Sequence, residues 1–221
     1  MGTREIREVK VLQNVLAAND AIAAENARLF KEKNIYVLNV MASPGAGKTS
    51  FILETIKGLK PEVRIAVIEG DIASKVDAEK VQEHQILAVQ INTGGACHLD
   101  ANMIKNAFSL LGEEEIRLLI IENVGNLVCP AEFKLGETRK LMILSVPEGD
   151  DKPLKYPLMF SEADVLIVNK IDLLAMTNFS MERLKETTLG INPDLQIFEL
   201  SCVNGDGVGE WLSWIKDELT G

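Results

Sequence analysis

Seven short apolar runs recur along the chain, and the segments between most of them carry apolar residues at helical spacing. The runs lie at residues 35–40, 63–68, 87–91, 117–121, 141–146, 165–168 and 197–200. Runs this short and this continuously apolar predict strands buried on both faces. Strands alternating with helices predict an α/β fold, a mainly parallel sheet with helices on both faces. Ahead of the first strand, Val9, Leu12, Val15, Leu16, Ile22, Ala23, Leu29 and Phe30 keep helical spacing, so residues 5–33 predict one long helix. That helix ends at Lys33-Asn34 and is expected to lie against the sheet, a docking arm for a partner being the alternative. The expected organisation is therefore an N-terminal helix over 1–33 and one α/β domain over 34–221. Trp211, Leu212 and Ile215 give the last helix a buried face.

In such a sheet, ligands bind at the loops leaving the carboxyl ends of the strands. The first of these is Met41-Ala42-Ser43-Pro44-Gly45-Ala46-Gly47-Lys48-Thr49, between a strand and a helix. A strand, a glycine-rich turn ending in Gly-Lys-Thr and a helix make a phosphate-binding loop. Its backbone N–H groups and the helix dipole converge on an anion. Gly45, Ala46, Gly47, Lys48, Thr49 and Ser50 are the expected phosphate contacts, with Lys48 on the β- and γ-phosphates and the Thr49 hydroxyl on Mg²⁺. Ala42 replaces the opening glycine of the usual pattern, a change tolerated where that residue keeps negative φ.

Asn169-Lys170-Ile171-Asp172 follows a buried strand about 120 residues later. The Asp172 carboxylate suits the N1–H and N2–H₂ donors of guanine, a pair that adenine lacks. Ser201-Cys202-Val203 ends the next strand and is similar to the loop whose backbone contacts guanine O6 in GTPases. Together they place GTP ahead of ATP. Glu122-Asn123-Val124-Gly125 stands where GTPases carry Asp-x-x-Gly, so the Gly125 N–H is expected at the γ-phosphate and Glu122 at Mg²⁺. Asp71 is the preferred further Mg²⁺ group, and Asp77 either positions the attacking water or caps a helix. No glutamine stands in a water-orienting position, so hydrolysis is expected to be slow.

Cys97-His98 and Cys129 add a different chemistry. Two thiols and an imidazole suit Zn²⁺ or Ni²⁺. They count to three where a closed structural zinc site needs four, so water or a second protomer completes the sphere. Only three residues separate Gly125 from Cys129, which predicts coupling between nucleotide state and metal geometry. His84 reads as a solvated helical residue, Cys202 as packed, and Lys152 and Lys155 as part of a solvated loop.

The 221 residues carry a formal net charge of −10, which disfavours nucleic-acid and anionic-membrane partners. No apolar run approaches the ~18 residues needed to span a bilayer. Met1-Gly2 starts like a myristoylation signal, but Ile6 stands where that signal needs Ser or Thr. Three cysteines are too few for a disulfide framework and fit reduced thiols in the cytoplasm.

From about Asn34 to Leu219 these motifs resemble the nickel-incorporation GTPases of hydrogenase maturation, the HypB family. The resemblance rests, in order, on the phosphate loop, Gly70-Asp71, Cys97-His98-Leu99, Glu122-Asn123-Val124-Gly125-Asn126-Leu127-Val128-Cys129-Pro130 and Asn169-Lys170-Ile171-Asp172. It implies a SIMIBI-class P-loop GTPase that dimerises with GTP and holds metal at the dimer interface through Cys97, His98 and Cys129. It further implies Ni²⁺ delivery to the hydrogenase large-subunit precursor, with a small zinc-containing accessory protein of the HypA type as partner. An N-terminal cysteine cluster and a histidine-rich tract, present in many relatives, are missing here. The alternative reading is a GTP-dependent dimerising scaffold whose zinc is structural and whose nickel comes from a partner.

Overall fold

The computed structural model describes residues 11–70, 86–112 and 114–221. The readings of Asp71, Asp77 and His84, and of the first ten residues, lie outside them. Seven strands form one all-parallel sheet: β1 (Tyr36–Ala42), β2 (Ile65–Glu69), β3 (Leu87–Gln90), β4 (Leu118–Glu122), β5 (Arg139–Ser145), β6 (Val165–Asn169) and β7 (Gln196–Glu199). Their spatial order is β3-β2-β4-β1-β5-β6-β7, so the phosphate-loop strand β1 lies at the centre. Each of the seven apolar runs forms one of these strands. β1, β2, β4 and β6 are buried at every residue.

Among the described residues the α-helices are α1 (Val11–Glu32), α2 (Lys48–Leu59), α3 (Ala101–Ser109), α4 (Cys129–Glu132), α5 (Lys152–Lys155), α6 (Pro157–Glu162), α7 (Met181–Ile191) and α8 (Val208–Thr220). On one face of the sheet, Phe51, Ile52 and Ile56 of α2 pack with Trp211 and Ile215 of α8 over Leu38, Val40 and Ile120. On the other face, Phe30, Ile104 and Leu99 cover Val37, Ile68 and Ile121. Next to them Met159, Phe160 and Leu184 cover Met142 and Val168.

Within the described residues the predicted N-terminal helix is α1, which ends just before Asn34, a residue with a left-handed φ of 55°. Two buried asparagines fix it in place. Asn19 accepts from the Ala101 N–H at 2.8 Å and donates to the Lys134 carbonyl at 2.8 Å. Asn26 donates to the carbonyls of Ala101 and Leu135 at 2.8 and 2.9 Å. α1 therefore braces the start of α3, three residues beyond His98. Among the described residues no helix is long and apolar enough to cross a membrane.

The buried indole of Trp211 donates to Thr55 Oγ1 at 2.9 Å, joining α8 to α2 behind the phosphate loop. Thr55→Val keeps the shape but strands a buried N–H, and should cost about 1–3 kcal/mol of stability. Urea unfolding followed by tryptophan fluorescence checks this; an unchanged midpoint and slope would contradict it.

Candidate functional site

β1 leads straight into the glycine-rich turn and α2 begins at Lys48. Gly45 and Gly47 take φ of 78° and 100°, the left-handed region that favours glycine. Ala42 is not among the left-handed residues, so its position does not require glycine. Lys48 is buried beneath the turn, Thr49 is half-buried, and Ser50 is exposed in the first turn of α2. Gly125 sits against this turn: a Cβ there would lie 3.1 Å from Pro44 Cγ and 3.3 Å from Lys48 Nζ. Thr49 Oγ1 donates to Glu122 Oε1 at 3.1 Å. Hydroxyl and carboxylate oxygens so placed form a hard donor pair of the kind Mg²⁺ takes. Glu69 and Glu122 are register partners on adjacent strands, so two buried carboxylates end side by side at this edge.

The base-side loops are tied to the phosphate turn. Asn169 donates to the Ala46 carbonyl at 3.0 Å, and Lys170 Nζ reaches the Gly45 carbonyl at 2.7 Å. Lys170 is left-handed at φ 64°, which turns the chain so that Asp172 and Ser201 meet. Ser201 Oγ donates to Asp172 Oδ1 at 2.5 Å and accepts from the Val203 N–H at 3.2 Å. Asp172 and Val203 are exposed. Cys202 packs against the α2–α8 core, and burial with the nearby Glu54 charge pushes its thiol up to about 11.

The structure also brings Cys97, His98 and Cys129 together. Their ligand atoms all lie within 4.8 Å of one another, with Sγ–Sγ at 3.0 Å and Cys97 Sγ to His98 Nδ1 at 3.5 Å. Donors on one tetrahedral ion with bonds of about 2.0–2.3 Å stand roughly 3.3–3.8 Å apart, so only small shifts would seat a metal. His98 is stacked on Phe133, with ring centroids 3.8 Å apart at 25°. Its burial lowers the imidazole pKa against the opposing charges of Asp100 and Glu132, which favours the neutral, ligating form. The Cys129 thiol is raised, first by its hydrogen bond with Cys97 and then by burial.

Residues 36–199 match the CobW/HypB/UreG nucleotide-binding domain family. The hydrogenase maturation factor HypB of Azotobacter vinelandii is 47% identical over 215 residues, covering 97% of this chain and 71% of that protein. The chain belongs to the HypB family. Two solved HypB structures agree with its fold. That of Archaeoglobus fulgidus has a TM-score of 0.86 at 38% identity, covering 92% of this chain and 99% of that one. That of Helicobacter pylori, determined in complex with nickel, has a TM-score of 0.86 at 40% identity, covering 92% and 95%. The signal recognition particle receptor FtsY of Elizabethkingia anophelis, at 15% identity and TM-score 0.54 over 82% of this chain and 65% of that one, shares the fold.

In this HypB-family chain, contacts that no sequence motif announces hold the loops of Cys97, His98 and Cys129 to the loop after β4 that carries Gly125. Asn126 donates to the Cys97 carbonyl at 3.2 Å and accepts from the Val128 N–H at 2.9 Å, so one side chain holds both thiol segments. Asn123, fully buried, accepts from the Leu99 N–H at 3.2 Å and donates to Asn39 Oδ1 at 3.1 Å. The Leu99 side chain lies on Gly70, where a Cβ would come within 2.5 Å of it. Spacing alone links Cys129 to Gly125; the structure ties Cys97 and His98 to the same β4 loop. Glu148 is a further residue the motifs do not single out. It accepts from Ser43 of the phosphate turn and from Ser145 Oγ at 2.7 Å. The Ser145-x-x-Glu148 pattern is a capping box legible in the sequence. Lys152 and Lys155 stand on the short helix α5 rather than in a loop: Lys155 pairs with Asp151 at 2.5 Å and Lys152 lies over Tyr156.

Proposed function

We propose that this chain is a metal-binding GTPase that helps insert nickel into the large-subunit precursor of [NiFe] hydrogenase. Three of its own residues carry the reading. Cys97, His98 and Cys129 converge on one point, on loops tied to the segment that also carries Glu122 and Gly125. The H. pylori relative solved with nickel supports the choice of ion.

In this reading the turn from Gly45 to Ser50 takes the triphosphate, with Lys48 neutralising charge on the β- and γ-phosphates. Thr49 and Glu122, with Asp71, hold Mg²⁺, whose role is to neutralise charge between those phosphates. Asp77 positions the attacking water. Asn169 and Lys170 brace the phosphate turn while Asp172 and the loop Ser201-Cys202-Val203 read guanine. The Gly125 N–H contacts the γ-phosphate, and the β4 loop carries all three metal ligands with it when it moves. GTP thereby favours a homodimer with the Cys97–His98–Cys129 site at its interface. A small HypA-type zinc protein and the hydrogenase precursor are the expected partners, in the cytoplasm.

The enzymatic part is tested by phosphate release in a single turnover with Mg²⁺. Slow release from GTP, none from ATP and none by Lys48→Ala are expected. Equal release from ATP would overturn the guanine assignment.

A further inference from the structure

We propose that Cys97 and Cys129 form an intramolecular disulfide, which makes the pair a modification site for low-molecular-weight disulfides such as oxidised glutathione. The Sγ atoms already stand 3.0 Å apart. Closing to the ~2.0 Å of a disulfide needs a shift of about 1 Å. Both thiols are free and lie at or next to loops, Cys97 exposed and Cys129 half-buried at the start of the four-residue α4. Asn126 holds the two segments together from one side chain, so their approach does not depend on a bound ion. An exposed cysteine beside a second that can resolve it is the arrangement reversible thiol oxidation requires. The third cysteine is a built-in contrast: Cys202 packs against the α2–α8 core, and burial pushes its thiol up to about 11.

The chemistry balances with the glutathione disulfide as oxidant. The Cys97 thiolate attacks one sulfur of the reagent, breaking its S–S bond and releasing one glutathione thiolate. The Cys129 thiolate then attacks the Cys97 sulfur of the mixed disulfide and releases the second. The protein loses two electrons and two protons; the reagent gains both and leaves as two thiols. Since the ligating form of cysteine is the thiolate, the closed pair cannot ligate metal. The new bond would also join the β4 loop covalently to the loop before α3. Oxidation and metal loading then exclude one another. This last consequence, though not the bond itself, rests on the metal reading of the site.

The test uses the whole, metal-free chain with GDP, treated with oxidised glutathione and followed by intact mass, thiol titration and peptide mapping. The expected product has lost two hydrogens, links the peptides of Cys97 and Cys129, and keeps a single thiol at Cys202. In Cys129→Ser the glutathione adduct should instead accumulate on Cys97. With Ni²⁺ present at about ten times its Kd, closure should slow roughly tenfold as the metal-free fraction falls. A stable glutathione adduct on wild-type Cys97, or pairing through Cys202, would overturn the proposal. Nickel binding without closure overturns it and leaves the metal reading standing. Closure that nickel does not slow supports the bond and counts against the metal reading.

Discussion

Asp172→Asn should cut GTP affinity by on the order of 10²–10³-fold, the loss expected when charge-assisted hydrogen bonds worth ~3–4 kcal/mol disappear from a specific site. The carboxylate is exposed, braced by Ser201 Oγ at 2.5 Å, on a chain segment turned by the left-handed Lys170. An amide in its place turns an N–H₂ toward the guanine donors. Xanthosine triphosphate, whose C2 carbonyl accepts a hydrogen bond, should therefore lose little or gain. Equilibrium binding of the two nucleotides reads the outcome, and retention of wild-type GTP affinity would remove Asp172 from base recognition. The phosphate turn should remain intact in the variant, because its own ties run through Asn169 and Lys170.

The second large effect falls on the metal. Cys97→Ser or Cys129→Ser should weaken Ni²⁺ by more than the 10–100-fold that loss of an outer-sphere partner costs. Asn126→Ala removes no ligand, only the tether between the two thiol segments, and should fall within that range. Affinity in the wild type and in Asn126→Ala should rise with pH, since ligation displaces thiol protons and the hydrogen bond to Cys97 raises the Cys129 thiol. Competition titrations at two pH values measure both quantities. A Cys129→Ser protein that binds as tightly as wild type would show that the triad is not the site.

Much of this was legible in the sequence because burial on both faces writes a strand as a continuous apolar run. The runs at 35–40 and 165–168 needed no periodicity to be found, and each ends at the loop that carries its motif. Strand boundaries shifted by at most two residues, as at β1, which runs on through Met41 and Ala42 into its loop. Strand order was not legible, since hydrophobic pattern does not say which buried strand pairs with which. The site motifs named candidate donors but not what holds them. Phe133, which stacks on His98, is the C-cap of the short helix α4 that Cys129 begins, and lies 35 residues from His98 in the sequence. Asn123 and Asn126 lie within a motif whose spacing advertises Glu122, Gly125 and Cys129. Their hydrogen bonds to Leu99 and Cys97 depend on a contact between segments 24 and 29 residues apart. Glu148 alone had a local signature, the serine three residues before it.

The central claim is that nucleotide and metal act on one loop. It is tested most directly by titrating Ni²⁺ and Zn²⁺ while measuring solution mass, once with GDP and once with a non-hydrolysed GTP analogue. Dimerisation with the analogue, accompanied by a change in metal affinity or stoichiometry, is the expected result. A dimer that holds zinc unchanged in both states would contradict it and leave the metal as a staple between protomers.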